Sequence, residues 1–407
     1  MRGDLRVGRL FGIDIYIDWS WLVIFVLIAS DLALSLFARL HPQWSRVLDW
    51  GLAIAAALLF FASVLLHELA HSVVARARGL PVKRIVLYLL GGVSNIEREP
   101  PSAATEFVMA LVGPLTSVVL GIIFLFLGRT HLGKLAQAMP TPLAGLAQVD
   151  ALGTLLLWLG SANILIGIFN LIPAFPLDGG RVLRSLLWAF SNNLRRATLW
   201  STWISHAIAW LFILGGIAMA LGASIPFFGA GLFNGLWLAF IGWFLNGAAT
   251  QTHQQVVIED VLEGIPVSRL MRTDVATVEP GMTVSDLVHQ RIMTSEGNER
   301  SFPVVKDGKL IGWVSLEDVK RVSREQWETK TVGDIMTPGE QVVTLNPRED
   351  VSEVFQKFMQ RDVRQMPVMQ DGSMVGVLRR QDLMRYLQLH SELGLRDARQ
   401  THGNGRG

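Results

Sequence analysis

His67-Glu68-Leu69-Ala70-His71 lies inside a long apolar run, Gly51 to Ala75. Helical residues four apart stand about 40° apart around the axis, so both imidazoles project from one face. Two nitrogens placed in this way suit one Zn²⁺ at about 2.0–2.1 Å. Glu68, beside the first histidine, is placed to act as general base on the water that the metal activates. The competing reading is a pair of helix histidines beside a carboxylate at a membrane edge. Ionisable groups inside a membrane are costly and usually functional, which favours the metal.

The chain has 407 residues, of which 51% are hydrophobic and 17% charged, with a mean hydropathy of +0.39. That is too apolar for an ordinary soluble protein. The length predicts two or three domains. A net charge of +2 with scattered basic residues gives no sign of nucleic-acid binding. The absence of cysteine excludes disulfides and thiolate metal sites, so a transition metal must use His, Asp, Glu and water. Arg2, Arg6 and Arg9 precede the first apolar run, but no small-residue cleavage site follows it. The run reads as a membrane span, not a secretory signal.

Length and apolarity predict six spans: Trp19–Phe37, Gly51–Ala75, Glu106–Leu127, Leu152–Asn170 with a helix resuming after a break, Trp200–Leu221 and Phe227–Ala249. An even number puts both termini on one side. With the N-terminus inside, the inner loops hold Arg2, Arg6, Arg9, Arg76, Arg78, Lys83, Arg84, Arg98, Arg195 and Arg196, against Arg39, Arg46, Arg129 and Lys134 outside. The positive-inside rule therefore predicts cytoplasmic termini, with His67 and His71 near the cytoplasmic end of the second span.

Between the second and third spans, Arg84 to Asn95 is too short to cross as a helix and is rich in β-formers. It reads as a re-entrant β-like segment beside the metal, or as a surface hairpin. Backbone at membrane depth needs burial against protein or a wet cavity. An exposed edge strand there can pair with an extended substrate.

Two nitrogens and water leave a tetrahedral zinc one protein ligand short. The best candidate is Asp178, in Asn170-Leu-Ile-Pro-Ala-Phe-Pro-Leu-Asp-Gly-Gly180. Pro173 and Pro176 disfavour a continuous helix, and Gly179-Gly180 permits unusual backbone angles. The alternative for Asp178 is a helix N-cap over Gly179–Phe190. Asn170 offers an amide that can hydrogen-bond a substrate backbone or a developing oxyanion. His206 and Asp31 lie in apparent spans without partners at metal spacing, and read as packing or interfacial polar groups.

An HExxH helix in a membrane followed by N-x-x-P-x-x-P-L-D-G-G resembles the site-2 protease family of intramembrane metalloproteases, over roughly residues 10–250. The resemblance implies that His67, His71 and Asp178 bind one Zn²⁺, that Glu68 is the general base, and that Asn170 assists. Gly113-Pro114 also looks like a family signature; its local alternative is a helix kink or close helix packing. No insertion between the motifs is large enough for a PDZ domain.

After Gln251 the composition changes, and the chain repeats. Val267-Ser-Arg-Leu-Met271 echoes Val332-Gly-Asp-Ile-Met336, and Phe302-Pro-Val-Val-Lys-Asp-Gly308 echoes Met366-Pro-Val-Met-Gln-Asp-Gly372. Gly312 to Asp318 echoes Gly376 to Asp382. The repeat looks like a CBS pair. The expected organisation is a polytopic α-helical membrane domain (1–250), a linker (251–265), two α/β CBS domains (266–326 and 327–392) and a disordered tail (393–407). CBS modules often bind adenosine nucleotides, and the ribose pattern is present as Gly312, Ser315 and Asp318, whereas Arg379 replaces the hydroxyl residue in the second unit. The alternative is that Ser315 merely N-caps a helix, with the pair serving dimerisation.

The resemblance implies an intramembrane zinc endopeptidase of a bacterial cell membrane. Its expected substrate is a single-span membrane protein such as an anti-sigma factor or a membrane-bound pro-protein, cut near the cytoplasmic face and modulated by the cytoplasmic CBS pair. The rival is a CBS-regulated transporter or channel, since broken helices also mark transport sites. A transporter has no need of Glu68 beside paired histidines.

Overall fold

The computed structural model describes residues 5–89, 91–96, 99–130, 149–226, 228–294, 300–361 and 363–393. Apart from Leu393, the tail expected to be disordered lies outside the described residues. The chain divides into two units, Met1–Val256 and Val257–Gly407.

Among the described residues, six helices are long and apolar enough to cross a membrane. They are α1 (Trp19–Leu40), α2 (Arg46–Ala77), α3 (Ala103–Arg129), α4 (Ala151–Asn170), α6 (Leu194–Ala220) and α7 (Leu232–Leu262). A shorter helix, α5 (Asp178–Ser191), follows the proline break after α4. Their starts are written locally: the side chains of Asp18, Ser45, Ser102, Asp150 and Asn193 each accept from a backbone N–H of the first turn. The fifth span begins at Leu194, earlier than hydrophobicity alone predicts, because Asn193 caps it. Residues 251–262, expected as linker, continue α7.

Glycines let α3 and α4 approach closely: a Cβ at Gly121 would stand 2.9 Å from the Gly160 carbonyl, and one at Gly167 the same distance from that of Pro114. Trp203, Leu211, Leu214, Phe126 and Leu27 remain exposed on the helix faces, as a lipid-facing surface requires.

Arg84 to Asn95 falls in a hairpin, β3 (Val82–Tyr88) and β4 (Gly91–Ile96). It belongs to a four-stranded sheet that hydrophobicity alone did not announce. An N-terminal hairpin, β1 (Leu5–Leu10) and β2 (Ile13–Ile17), turns at Phe11-Gly12, both at positive φ. The order is β1-β2-β3-β4, with β2 and β3 parallel and Ile15 opposite Ile85. Parallel pairing needs a crossover, which α1 and α2 supply. Ile13, Ile85 and Val82 pack with Leu69 of α2 and Met109 of α3, so the sheet is seated on the histidine helix.

The second unit contains the two repeats. β5 (Ser301–Lys306) and β6 (Lys309–Ser315) pair in the first, β8 (Gln365–Gln370) and β9 (Ser373–Arg379) in the second. Both hairpins turn on Asp-Gly at positive φ, Asp307-Gly308 and Asp371-Gly372, as the sequence predicts. The repeats exchange their leading segments: β7 (Thr337–Pro338) pairs with β6, and Arg272 bridges to Val377 of β9. Leu262, Ile265 and Val267 accordingly lie in the core of the second repeat, with Val351, Phe358 and Met366.

Candidate metal centre

His67 and His71 stand near the C-terminal end of α2, both buried, at 4% and 5% exposure. Asp178 is the first residue of α5, whose N-cap position is Leu177. Its Oδ2 lies 3.1 Å from His67 Nε2 and 3.2 Å from His71 Nε2, and the two Nε2 atoms are 3.2 Å apart. Tetrahedral ligation at about 2.0–2.1 Å sets ligand atoms roughly 3.3 Å apart, so the triangle has zinc dimensions. The donor set fits as well. His71 Nδ1 donates to the Met109 carbonyl at 2.5 Å, which leaves its Nε2 as a bare lone pair. His67 Nδ1 meets Ser117 Oγ at 2.9 Å. Two imidazole nitrogens and a carboxylate oxygen converge so that they could hold a cation between them.

Close backbone approach makes the room. A Cβ at Gly113 would overlap His71 Nε2 and stand 2.7 Å from His67 Nε2. Gly113→Ala is therefore expected to weaken zinc binding by at least about tenfold, by pushing the imidazoles off their ligating positions. Chelator competition on folded protein checks this, and unchanged affinity would refute the placement of the ligands.

Glu68 turns toward the sheet. Its Oε2 accepts from Ser94 Oγ of β4 at 2.8 Å, and Ser94 Oγ in turn accepts from Ser72 at 3.1 Å. β4 lies directly against the Glu68 side chain, since a Cβ at Gly92 would overlap its Cγ. Asn170 is the last residue of α4, half-buried, eight residues before Asp178. The loop between them is tied to α6 by Phe175 N donating to Ser205 Oγ at 2.9 Å. Ser72, Ser94, Met109 and Ser117 were not singled out from sequence. Polar residues inside apolar spans were the available signal for Ser72 and Ser117; a backbone carbonyl carries none. His206 Nδ1 pairs with Asn246 Oδ1 at 2.8 Å between α6 and α7, a packing role.

In the second unit, Ser315 and Asp318 are spent on each other. Asp318 Oδ2 accepts from Ser315 N at 2.9 Å and Oγ at 2.6 Å, and Ser315 N-caps the helix Leu316–Lys320. In the second repeat Arg379 donates to Asp382 through Nε at 2.8 Å and Nη2 at 3.1 Å, and Arg272 Nη2 adds a contact at 3.3 Å.

The peptidase family M50 model matches residues 55–214, and the CBS domain model matches 267–325 and 332–389. A Synechocystis sp. protein assigned as a zinc metalloprotease is 32% identical over 389 residues, covering 95% of this chain and 96% of its own length. The Mycobacterium tuberculosis protein assigned as zinc metalloprotease Rip3 is 31% identical over 392 residues, covering 96% and 94%. The solved site-2 protease from Methanocaldococcus jannaschii aligns at 26% identity and a TM-score of 0.39, over 61% of this chain and 95% of its own.

Proposed function

The chain belongs to peptidase family M50 and is a multi-pass membrane, site-2-protease-like zinc metalloendopeptidase; from that premise we propose that it cuts single-span membrane proteins in or beside their transmembrane segments, near the cytoplasmic face of a bacterial membrane. The observation that carries this reading is the convergence of His67, His71 and Asp178 next to Glu68 and an edge strand.

His67, His71 and Asp178 would hold the zinc, which when bound would supply a Lewis acid for the attacking water and the peptide carbonyl. Glu68 takes a proton from that water and returns one to the leaving amine. Asn170 hydrogen-bonds the substrate backbone. A substrate helix satisfies its own backbone groups, so it must unwind before attack. β4, the last strand of its sheet, offers the unwound segment a ladder beside Glu68. An anti-sigma factor or a membrane-bound pro-protein is a substrate of the right form. The test mixes purified full-length enzyme with a set of candidate single-span proteins, comparing wild type with Glu68→Gln. Cleavage by wild type alone supports the reading; equal cleavage by both overturns the role given to Glu68.

The second unit, on the cytoplasmic side in this reading, links activity to an adenosine nucleotide. It acts either within one chain or through a homodimer of CBS pairs. Ser315 and Asp318 would exchange their mutual bonds for ribose hydroxyls. A nucleotide alters activity only by binding two arrangements with different affinity. Asp318→Ala is expected to abolish the binding heat of AMP, ADP or ATP titrated into the full chain, with zinc content unchanged. No heat with wild type at millimolar nucleotide would leave the pair as a dimerisation module.

A further inference from the structure

Four residues of α3 share one face: Glu106, Met109, Gly113 and Ser117, spaced by three, four and four. Three of them serve the histidines directly. The Met109 carbonyl accepts from His71, Ser117 bonds His67, and Gly113 leaves the space into which both Nε2 atoms project. The fourth touches neither histidine. Glu106 is fully buried, and its Oε1 accepts from Arg184 Nε at 2.7 Å and also from Arg184 Nη2. Arg181 Nε stands 3.9 Å from the same oxygen. Both arginines belong to α5, the helix that Asp178 opens. The Arg184 guanidinium also lies over the Phe175 ring, 5.9 Å from its centroid, and thus braces the loop that delivers Asp178.

A buried ion pair is weak evidence for stability, because desolvation offsets the attraction. This pair is not optimised for stability, since Glu106 Oε2 is buried without a hydrogen-bond partner among the described residues. What the pair supplies is register. A slip of α5 by one residue would turn its first residue by about 100° and shift it by about 1.5 Å, enough to take Asp178 Oδ2 out of the triangle.

We propose that Glu106 and Arg184 are positioning residues for the metal: through them α3, which already orients both histidines, also sets the place of Asp178. This rests on the zinc reading of His67, His71 and Asp178. One helix face then carries the support of all three ligands.

The test uses full-length protein in detergent, carrying Arg184→Met, Arg184→Lys or Glu106→Gln. Zinc affinity is read by chelator competition, the ligand field by the visible spectrum of the Co²⁺-substituted protein, and stability by thermal unfolding. Arg184→Met and Glu106→Gln are expected to bind zinc about 10–100-fold more weakly and to alter the Co²⁺ spectrum, with partial recovery in Arg184→Lys. In an Asp178→Ala background, Arg184→Met should cost no further affinity, because its effect passes through the missing carboxylate. A lowered unfolding temperature with unchanged affinity and spectrum would make the pair structural only and overturn the proposal. If Arg184→Met does not fold, Glu106→Gln, which keeps the side-chain shape, decides. Wild type that binds no zinc would sink the zinc reading itself, a result distinct from variants that match a zinc-binding wild type.

Discussion

Glu68→Gln is expected to keep its zinc and its fold while peptide cleavage falls by about 10²–10⁴-fold, the usual contribution of a positioned general base. The side chains are of equal size, so the packing of β4 against the α2 carboxylate survives. The Ser94 hydroxyl can still donate to the amide oxygen as it does to Glu68 Oε2 at 2.8 Å. What disappears is the ability to accept a proton from the attacking water. Neither His67 nor His71 can substitute, because the Nε2 atoms of both face Asp178 in the candidate metal site. Metal content by elemental analysis and cleavage of a single-span substrate are the two measurements. Wild-type cleavage with wild-type zinc would remove Glu68 from the mechanism.

Asp178→Ala is expected to lower zinc affinity by more than the roughly 10–100-fold typical of losing a group that merely orients a ligand, since it removes a ligand outright and leaves two protein donors where a catalytic zinc site has three. Cleavage should fall with occupancy and return in part at high added zinc. The folded state should persist, because α5 is held by Arg184, which donates to Glu106. Chelator competition checks the affinity. Unchanged affinity would mean that another carboxylate is the third ligand.

Much of this was written locally. The 67–71 pattern puts two imidazoles on one helix face by helical period alone, and span count follows from apolar length, which is why each of the six expected spans coincides with a helix, although several ends differ. The paired Asp-Gly turns at 307–308 and 371–372 follow from the φ > 0 that a two-residue hairpin demands. Local signals also fell short. Hydropathy placed the end of the sixth span near Ala249, but α7 runs on to Leu262 because its last residues enter the core of the second repeat. The first hairpin at Phe11-Gly12 was hidden beside a run that reads as a span. Ser315 and Asp318 matched a ribose pattern, and the same two residues make a capping box, since a hydroxyl and a carboxylate three apart at a helix start satisfy each other's backbone donors.

Residue types and spacing by themselves pointed to the candidate donor set, the helical segments and the proline break before Asp178. Only the tertiary structure decided which atoms meet. The support of the site runs through a backbone carbonyl at Met109, a missing Cβ at Gly113 and a buried pair, Glu106 with Arg184, 78 residues apart. Gly113 stood out in sequence beside Pro114, but the carbonyl and the ion pair have no local signature, because an acceptor carbonyl is common to every residue and an ion pair between distant helices exists only once the helices have packed. The sequence names the candidate ligands; the face of α3 against which they pack sets the distances between them.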